Sequence, residues 1–307
     1  MFKHLLVPLD GTRLAEAALP VAAYLAQKLD ATVTLLHILE HDAPQEIHHE
    51  RHLTDADSAC AYLEEVARRA FPPTLRVERH IHDTAVDDLA RSLVAHTTEL
   101  VTPDLIVLCQ HGPSHVSDWL FGHLGDKVIA QGQTPVLVVH PPEGAAPTIA
   151  FSRMFVPLDG SPAHEQALPG AIQLAQACVS TVHLAMVIHT LGTLPGERAA
   201  AGRLLPGTMT AVLEMAEENA EAYLRPLVTR LRDAGLTVTA EVARGDPAST
   251  IVSIAQRIKT DLIVLGTHGK VGTAAFWAGS VAPRVSDRTR LPLLLVPIAS
   301  DDQDQAI

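Results

Sequence analysis

An internal repeat constrains the fold of this chain more than any other feature of its sequence. Three motifs recur in the same order: VPLDGT/S at 7–12 and 156–161, DLIVL at 104–108 and 261–265, and PVLVV/PLLLV at 135–139 and 292–296. The offset is 149 residues for the first motif and 157 for the other two. Chance similarity between short apolar segments would not keep this order, so we predict two homologous domains.

The repeat also predicts where the domains begin and end. We expect domains at 1–143 and 151–298, a linker at 144–150 and an acidic tail at 299–307. The region around the linker is rich in Pro and Ala, which is typical of segments between domains. A length of 307 residues agrees with two domains of ordinary size.

Short apolar segments alternate with helical ones in each half, which indicates an α/β fold with a parallel sheet covered on both faces. We predict strands at 5–9, 33–39, 75–81, 104–109 and 135–139, and in the second half at 182–188, 236–242, 261–266 and 292–296, besides the VPLDGS strand. Ser161 is a candidate N-cap, with Pro162 at the first helical position. Pro20 and Pro169 fall inside the predicted first helices, so we expect a kink in each.

The charge balance excludes some classes of partner. The chain has 23 Lys and Arg against 35 Asp and Glu, a net charge of −12, which argues against general binding of nucleic acid or of an anionic membrane. Its three cysteines lack metal-ligand spacing and form a poor disulfide framework. With no secretory signal or long apolar segment, we expect a soluble, cytoplasmic protein.

The loop after the fourth strand carries the clearest chemical signal. In the second half it reads GTHGKVGTAAFWAGSV over residues 266–281. Its glycines permit close approach of a ligand to backbone N–H groups, and a loop that enters a helix suits a phosphate. Ser280 adds a hydroxyl donor and Lys270 a positive charge. A turn that needs glycine for its geometry explains the same pattern equally well.

The spacing Gly-x2-Gly-x9-Gly-Ser, together with VPLDGS, DLIVLGTHG and the terminal PLLLVP, resembles the ATP-binding universal stress proteins in their tandem form. The resemblance covers nearly the whole chain. It implies two tandem doubly wound five-stranded parallel-sheet domains, the adenine-nucleotide alpha-hydrolase-like fold, paired through their last strands. It also implies ATP with Mg²⁺ as the ligand.

The resemblance implies a role for particular residues of the second domain. Asp159 is expected near the ribose and phosphates, although an Asp before Gly also closes turns. Val187 is expected to offer backbone contacts to adenine, and the turn Arg244–Pro247 resembles the family's turn after strand three. The phosphates are expected to contact Gly266, Gly269, Lys270, Gly279, Ser280 and the N–H of Val281.

The first half departs from this pattern. The counterparts of the nucleotide-binding residues there are Asp10, Ile38, Gly112, Gly122 and His123. Cys109 stands in place of Gly266 and would crowd a phosphate, while Pro113 removes a backbone donor. Residues 1–150 carry 10 Lys and Arg against 20 Asp and Glu, whereas residues 151–307 carry 13 against 15. We therefore predict that the second domain binds ATP and the first binds it weakly or not at all.

Thirteen of the 17 histidines lie in residues 1–150. On a helix, His48 and His52 would share a face at i, i+4 and could chelate a transition metal. A solvated segment of surface histidines is the alternative. A second group, Cys109, His111, His115 and His123, leaves the same two alternatives open. We expect no metal site from either group.

Three functions remain open at this point. The first, which we favour, is a stress-response regulatory module that binds ATP. The second is a slow ATPase or autophosphorylating enzyme, although the Walker loop is absent because Gly269-Lys270 is followed by Val271. The third is an interaction scaffold that needs no ligand. A homodimer is also possible, in addition to pairing of the domains within one chain.

Overall fold

The chain folds into two compact units. The computed structural model describes residues 2–40, 46–47, 50–86, 88–99, 102–110, 128, 132–141, 149–268 and 281–298. The first unit contains the described residues up to 150, His268 and the last strand of the chain, and the second contains 151–267 and 281–291.

The first unit contains a parallel sheet flanked by helices. Its elements are β1 (His4–Pro8), a 3-10 helix (Ala15–Ala18), α1 (Leu19–Leu29), β2 (Thr32–Glu40), β3 (Glu46–Ile47), β4 (Glu50–Arg51), α2 (Ala56–Ala70), β5 (Val77–Val86), α3 (Leu89–Glu99), β6 (Leu105–Cys109) and β7 (Val136–Val139). The strand order is β5-β2-β1-β6-β7, with parallel pairing throughout. The last strand of the chain, β12 (Leu293–Ile298), pairs with β7 in the antiparallel direction.

The second unit repeats the same order. Its elements are β8 (Arg153–Leu158), a 3-10 helix (His164–Ala167), α4 (Leu168–Cys178), β9 (Thr181–Ile188), α5 (Gly196–Leu204), α6 (Pro206–Asp233), β10 (Thr237–Arg244), α7 (Pro247–Arg257), β11 (Leu262–His268) and α8 (Val281–Ser286). The strand order is β10-β9-β8-β11, again all parallel. The doubly wound α/β fold predicted from the repeat is confirmed.

The central strands form the core of each unit. Leu5, Leu6 and Val7 of β1 are fully buried, as are Phe155 and Val156 of β8. A strand that is covered by helices on both faces buries consecutive residues rather than alternate ones. This explains why the strand segments read as unbroken apolar runs in the sequence.

The predicted proline kinks are wrong. In each half a short 3-10 helix comes first, and the α-helix begins only at Leu19 or Leu168. Pro20 and Pro169 therefore lie in the first turn, where a residue needs no backbone N–H to bond within the helix. For the same reason Ser161 caps no α-helix, although its Oγ accepts a hydrogen bond from the Ala163 N–H at 3.3 Å.

Two elements of the second unit differ from the prediction. Strand β11 continues through Gly266 and β-branched Thr267 to His268, so the loop begins later than the glycine pattern suggested. Helix α5 was not predicted from the sequence and lies between β9 and the long helix α6. It is an insertion in the second half, and it changes the spacing between otherwise equivalent residues.

Candidate functional site

The site lies where the strand order reverses. In the second unit the chain passes from β8 to β9 on one side, and β11 pairs with β8 on the other. Ligands of doubly wound sheets bind outside the carboxyl ends of the strands at such a point. Asp159 directly follows β8 and Gly266 lies near the end of β11, so these two predicted residues belong to neighbouring strands.

A tight turn holds the carboxylate of Asp159. The N–H of Ser161 donates to Asp159 Oδ1 at 2.9 Å across Gly160, whose φ of +86° favours glycine. His164 Nδ1 lies 2.9 Å from Asp159 Oδ2. Burial acts to raise the pKa of Asp159, but the His164 contact and the Ser161 N–H outweigh it and lower the pKa. The side chain remains 56% exposed, so an ionised acceptor faces outward.

The backbone groups of Val187 lie at the carboxyl end of the paired part of β8 and β9. The Ile188 carbonyl accepts a hydrogen bond from the Gly245 N–H at 2.9 Å and therefore faces β10. Successive residues of a strand direct their backbone groups to opposite neighbours, so those of Val187 face the β8 side. The last register pair there is Leu158 with Met186, and Val187 lies one residue beyond it. The N–H of Val187 is therefore opposite the Leu158 carbonyl of β8, and its C=O lies one position beyond that pair.

Helix α8 begins at Val281 and is tied to the turn after β10. Arg284 Nη2 donates to Asp246 Oδ2 at 2.6 Å. Asp246 also caps α7 by accepting a hydrogen bond from the Ser249 N–H at 3.0 Å. Burial acts to raise the pKa of Asp246, but the bonds from Arg284 and Ser249 lower it to about 2. The Arg244–Pro247 turn thus has a structural contact with the helix that follows the glycine loop.

Several predicted residues lie outside the described residues. They are Gly269, Lys270, Gly279 and Ser280 in the second half, and Gly112, Gly122 and His123 in the first. Their expected contacts with phosphate stay predictions. Of the second-half residues predicted to bind the nucleotide, Asp159, Val187, Gly266 and Val281 are described.

The equivalent turn of the first unit buries its carboxylate. Asp10 is only 4% exposed, and its Oδ1 accepts hydrogen bonds from the Thr12 N–H at 2.8 Å and hydroxyl at 2.7 Å. Asp10 and Ile38 line a cavity of about 10 Å³, roughly the volume of one water molecule. The described residues around this cavity therefore leave no room for a nucleotide inside it.

A buried histidine lies beside this turn. His37 has one ring nitrogen 2.7 Å from the Leu9 carbonyl oxygen and the other 3.1 Å from that of Leu53. In the second half Met186 stands at the corresponding position, 149 residues later. His37 thus connects the strand that precedes Asp10 to the segment that follows β4, and in the described part of the second half Met186 cannot form these polar contacts.

Burial changes the ionisation of two further groups in the first unit. Burial, followed by the charge of Asp10, raises the pKa of Glu40 to about 7. The same two causes raise the pKa of the Cys109 thiol to about 12. Cys109 therefore fills the position of Gly266 as a protonated thiol and not as a reactive thiolate.

The helix on which His48 and His52 would share a face is not formed by the described residues of this segment. Residues 46–47 and 50–51 form the short antiparallel pair β3–β4, so an i, i+4 helical face does not exist there. His52 is 2% exposed and its ring centroid lies 6.4 Å from that of His37. It is therefore a buried residue rather than part of a solvated surface segment. Within the described parts of the chain no three or more His, Cys, Asp or Glu side chains are grouped as metal ligands.

Each half contains the same three-residue network, which the sequence interpretation missed. Tyr223 donates to Glu165 Oε1 at 2.9 Å and Arg230 Nη2 donates to Oε2 at 3.1 Å. The corresponding bonds in the first half, Tyr62 and Arg69 to Glu16, are 3.1 Å and 2.7 Å. Both tyrosine–arginine pairs have the spacing Tyr-x6-Arg, and this shared spacing is the signal that could have revealed them.

Two buried polar side chains at the ends of the fourth strands were also missed. Gln110 follows β6 and is 4% exposed, and Thr267, its counterpart in β11, is 2% exposed. Neither Gln110 Oε1 nor Thr267 Oγ1 has a hydrogen-bond partner among the described residues. Most buried polar side chains are hydrogen-bonded. Gln110 and Thr267, at the carboxyl ends of the fourth strands, are therefore exceptions in both halves.

Comparison with known proteins agrees with the fold. The Universal stress protein family matches residues 1–140 and again residues 150–297. A universal stress protein of Methanocaldococcus jannaschii is 30% identical over 148 residues, which are 48% of this chain and 82% of that protein. A universal stress protein of Mycobacterium tuberculosis is 25% identical over 305 residues, 95% of each chain.

The structural similarity extends over both halves. The crystal structure of a universal stress protein from Archaeoglobus fulgidus has a TM-score of 0.71 at 18% identity, covering 98% of this chain and 99% of that one. A putative universal stress protein from Pseudomonas aeruginosa has a TM-score of 0.66 at 18% identity, covering 97% and 94%. The chain therefore belongs to the universal stress protein family, with two copies of its domain. None of the helices in the described residues is both long and apolar enough to cross a bilayer.

Proposed function

We propose that this protein binds ATP in its second domain and acts as a stress-response regulatory module. The observation that carries the proposal is the contrast between two equivalent carboxylates. Asp159 is 56% exposed at the mouth of the site, whereas Asp10 is 4% exposed and bonded to its own turn. At these two equivalent positions, therefore, the second domain has an exposed carboxylate and the first a buried one.

The residues present in the second domain fit an adenine nucleotide. An ionised Asp159 accepts hydrogen bonds from ribose hydroxyl groups. The C=O of Val187, one position beyond the last β8–β9 register pair, is a candidate acceptor for the adenine amino group, and Gly266 has no Cβ to obstruct the phosphates. Gly269, Lys270, Gly279, Ser280 and Val281 complete the phosphate contacts in this proposal. Mg²⁺ would enter with the phosphates, which together with water molecules supply most of its ligands in such sites.

The described part of the first domain differs from the second at the equivalent positions. Cys109 stands at the position of Gly266, and the cavity beside Asp10 and Ile38 has room for about one water. His37 is committed to two backbone carbonyls at the place where the second domain has Met186. The net charge of residues 1–150, −10 against −2 for the remainder, also disfavours a phosphate ligand there.

Matched variants of the whole chain test the proposal. Asp159→Asn should weaken ATP binding about ten- to a hundredfold in calorimetry, because hydrogen bonds to a charged group are worth about 1.5–3 kcal/mol. Asp10→Asn, at the equivalent position, should leave the affinity unchanged. The proposal fails if wild-type protein binds no ATP, or if Asp10→Asn weakens binding as much as Asp159→Asn does.

A further inference from the structure

The duplicated network of Glu165, Tyr223 and Arg230 lies next to the Asp159 turn. Glu165 belongs to the 3-10 helix His164–Ala167, and both of its carboxylate oxygens are held by residues of α6. His164, its neighbour in sequence, lies with Nδ1 2.9 Å from Asp159 Oδ2. One short helix therefore carries both the contact to the site carboxylate and the anchor to α6.

Electrostatics supports the proximity of the two groups. Burial, the hydrogen bond to Glu165, the charge of Glu165 and then the charge of Asp159 raise the pKa of Tyr223. The hydroxyl is therefore a proton donor at neutral pH, as its bond to the Glu165 carboxylate requires. Asp159 is close enough to contribute to this effect without a direct contact.

The first half contains the same anchor without a histidine beside the carboxylate. Tyr62 and Arg69 hold Glu16 in the same way. However, Ala15 stands where the second half has His164, and Asp10 is bonded to Thr12 instead. The shared part of the network can stabilise either domain, but only the second half couples it to an exposed carboxylate.

We propose that Tyr223, Arg230 and His164 are positioning residues for the nucleotide site. Tyr223 and Arg230 fix Glu165 and with it the 3-10 helix, and this helix holds His164 against Asp159 so that the carboxylate keeps one orientation. This inference rests on the proposed ATP binding. In addition to the residues that contact ATP, Tyr223, Arg230 and His164 would influence the affinity for ATP through Asp159 without touching the nucleotide.

The first experiment compares Tyr223→Phe with Tyr62→Phe in the full-length chain. Each variant removes one hydroxyl that donates to a glutamate, so the losses in melting temperature should be similar. ATP affinity measured by calorimetry should fall about fivefold in Tyr223→Phe and stay unchanged in Tyr62→Phe. His164→Ala, which copies the residue found at Ala15, should show the same loss as Tyr223→Phe without removing the anchor.

The second experiment is a double-mutant cycle with Asp159→Asn. If Tyr223 acts through Asp159, then Tyr223→Phe should cause no further loss of affinity once Asp159 is Asn. A role limited to stability would instead give the same fractional loss in both backgrounds, and this result would overturn the inference. An equal loss in Tyr62→Phe would overturn it too.

The cycle separates this inference from the proposed function. If wild-type protein binds ATP and both Tyr223→Phe and His164→Ala bind it equally well, the positioning role is wrong while ATP binding stands. If wild-type protein binds no ATP, the proposed function fails and the positioning role fails with it.

Discussion

Arg284 donates a hydrogen bond to Asp246 Oδ2 at 2.6 Å, which joins helix α8 to the residue that caps helix α7. Asp246 is therefore both an N-cap and the partner of an arginine that lies three residues after the first residue of α8. Because the bonds from Arg284 and Ser249 outweigh burial and lower its pKa to about 2, its ionisation is linked to folding.

This linkage predicts a loss of stability in acid. A carboxylate whose pKa is lower in the folded protein stabilises it above the unfolded pKa of about 4, and the contribution disappears as the pH falls towards 2. Asp246→Asn keeps the cap but removes the charge, so it should cost about 1 kcal/mol at pH 7 and little at pH 2. Urea unfolding at several pH values would measure this difference.

The matched control is Asp88→Asn. Asp88 precedes α3 as Asp246 precedes α7, and its Oδ1 accepts a hydrogen bond from the Arg91 N–H at 3.0 Å. This variant removes the charge of a capping carboxylate without affecting the Arg284 contact, so it separates the two effects in the measured stability. If the stability of Asp246→Asn changed with pH as steeply as that of the wild type, the proposed contribution of the Asp246 charge to folding would be wrong.

Glu40 should show the opposite dependence on pH. Burial, then the charge of Asp10, raises its pKa to about 7, so the folded protein binds a proton that the unfolded chain releases near pH 4.5. Its contribution is fully present below pH 4.5 and is lost as the pH rises through 7. Glu40→Gln should therefore gain stability over the wild type at pH 8, on the order of 3 kcal/mol. Denaturant titrations of the wild type and Glu40→Gln at pH 5 and pH 8 would measure this gain. An equal difference in unfolding free energy between the two proteins at both pH values would refute the prediction.

The cysteines should differ sharply in reactivity. Cys60 is exposed, whereas Cys109 is buried with its pKa raised to about 12 by burial and the charge of Asp10. The thiolate is the reactive form, so an alkylating reagent at pH 8 should modify Cys60 well before Cys109 in the folded protein. Peptide mass spectrometry of timed samples would give the order. Faster modification of Cys109 would mean that its surroundings are open.

Replacing Thr267 by valine should increase the stability of the protein. Its hydroxyl is buried and lacks a partner among the described residues, and such a group costs about 1–3 kcal/mol. Thr267→Val keeps the shape and should raise the melting temperature of the ligand-free protein. Thr260→Val is the control, since this equally buried hydroxyl donates to the Arg153 carbonyl at 2.9 Å and its removal should destabilise. A lower melting temperature for Thr267→Val would show that its hydroxyl has a partner.

The sequence was sufficient to predict the strands and the edge of the sheet where the site lies. Buried parallel strands are uninterrupted apolar segments, and the repeated VPLDG and DLIVL motifs identified which of them correspond. Asp159 and Gly266 could therefore be assigned to the ends of neighbouring strands before any coordinates were considered. The difference in exposure between Asp159 and Asp10 could not, because the two VPLDG turns have the same local sequence and exposure depends on tertiary packing.

The tyrosine–glutamate network shows where sequence reasoning reached its limit. Glu165 and Tyr223 are separated by 58 residues, while Glu16 and Tyr62 are separated by 46, because α5 is inserted in the second half. The contact forms between a 3-10 helix and a long helix, and no local pattern predicts such a tertiary pair. The position of the 3-10 helix was itself missed, since Pro20 and Pro169 were interpreted as interruptions within a helix rather than as parts of its first turn.

The central claim is that one domain of the pair binds the nucleotide, and the stoichiometry of ATP binding tests it most directly. Calorimetric titration of the intact chain with Mg²⁺-ATP should give one site per chain, and Gly279→Val should abolish it while Gly122→Val leaves it in place. Two sites of equal affinity, or a single site removed by Gly122→Val and not by Gly279→Val, would contradict the account.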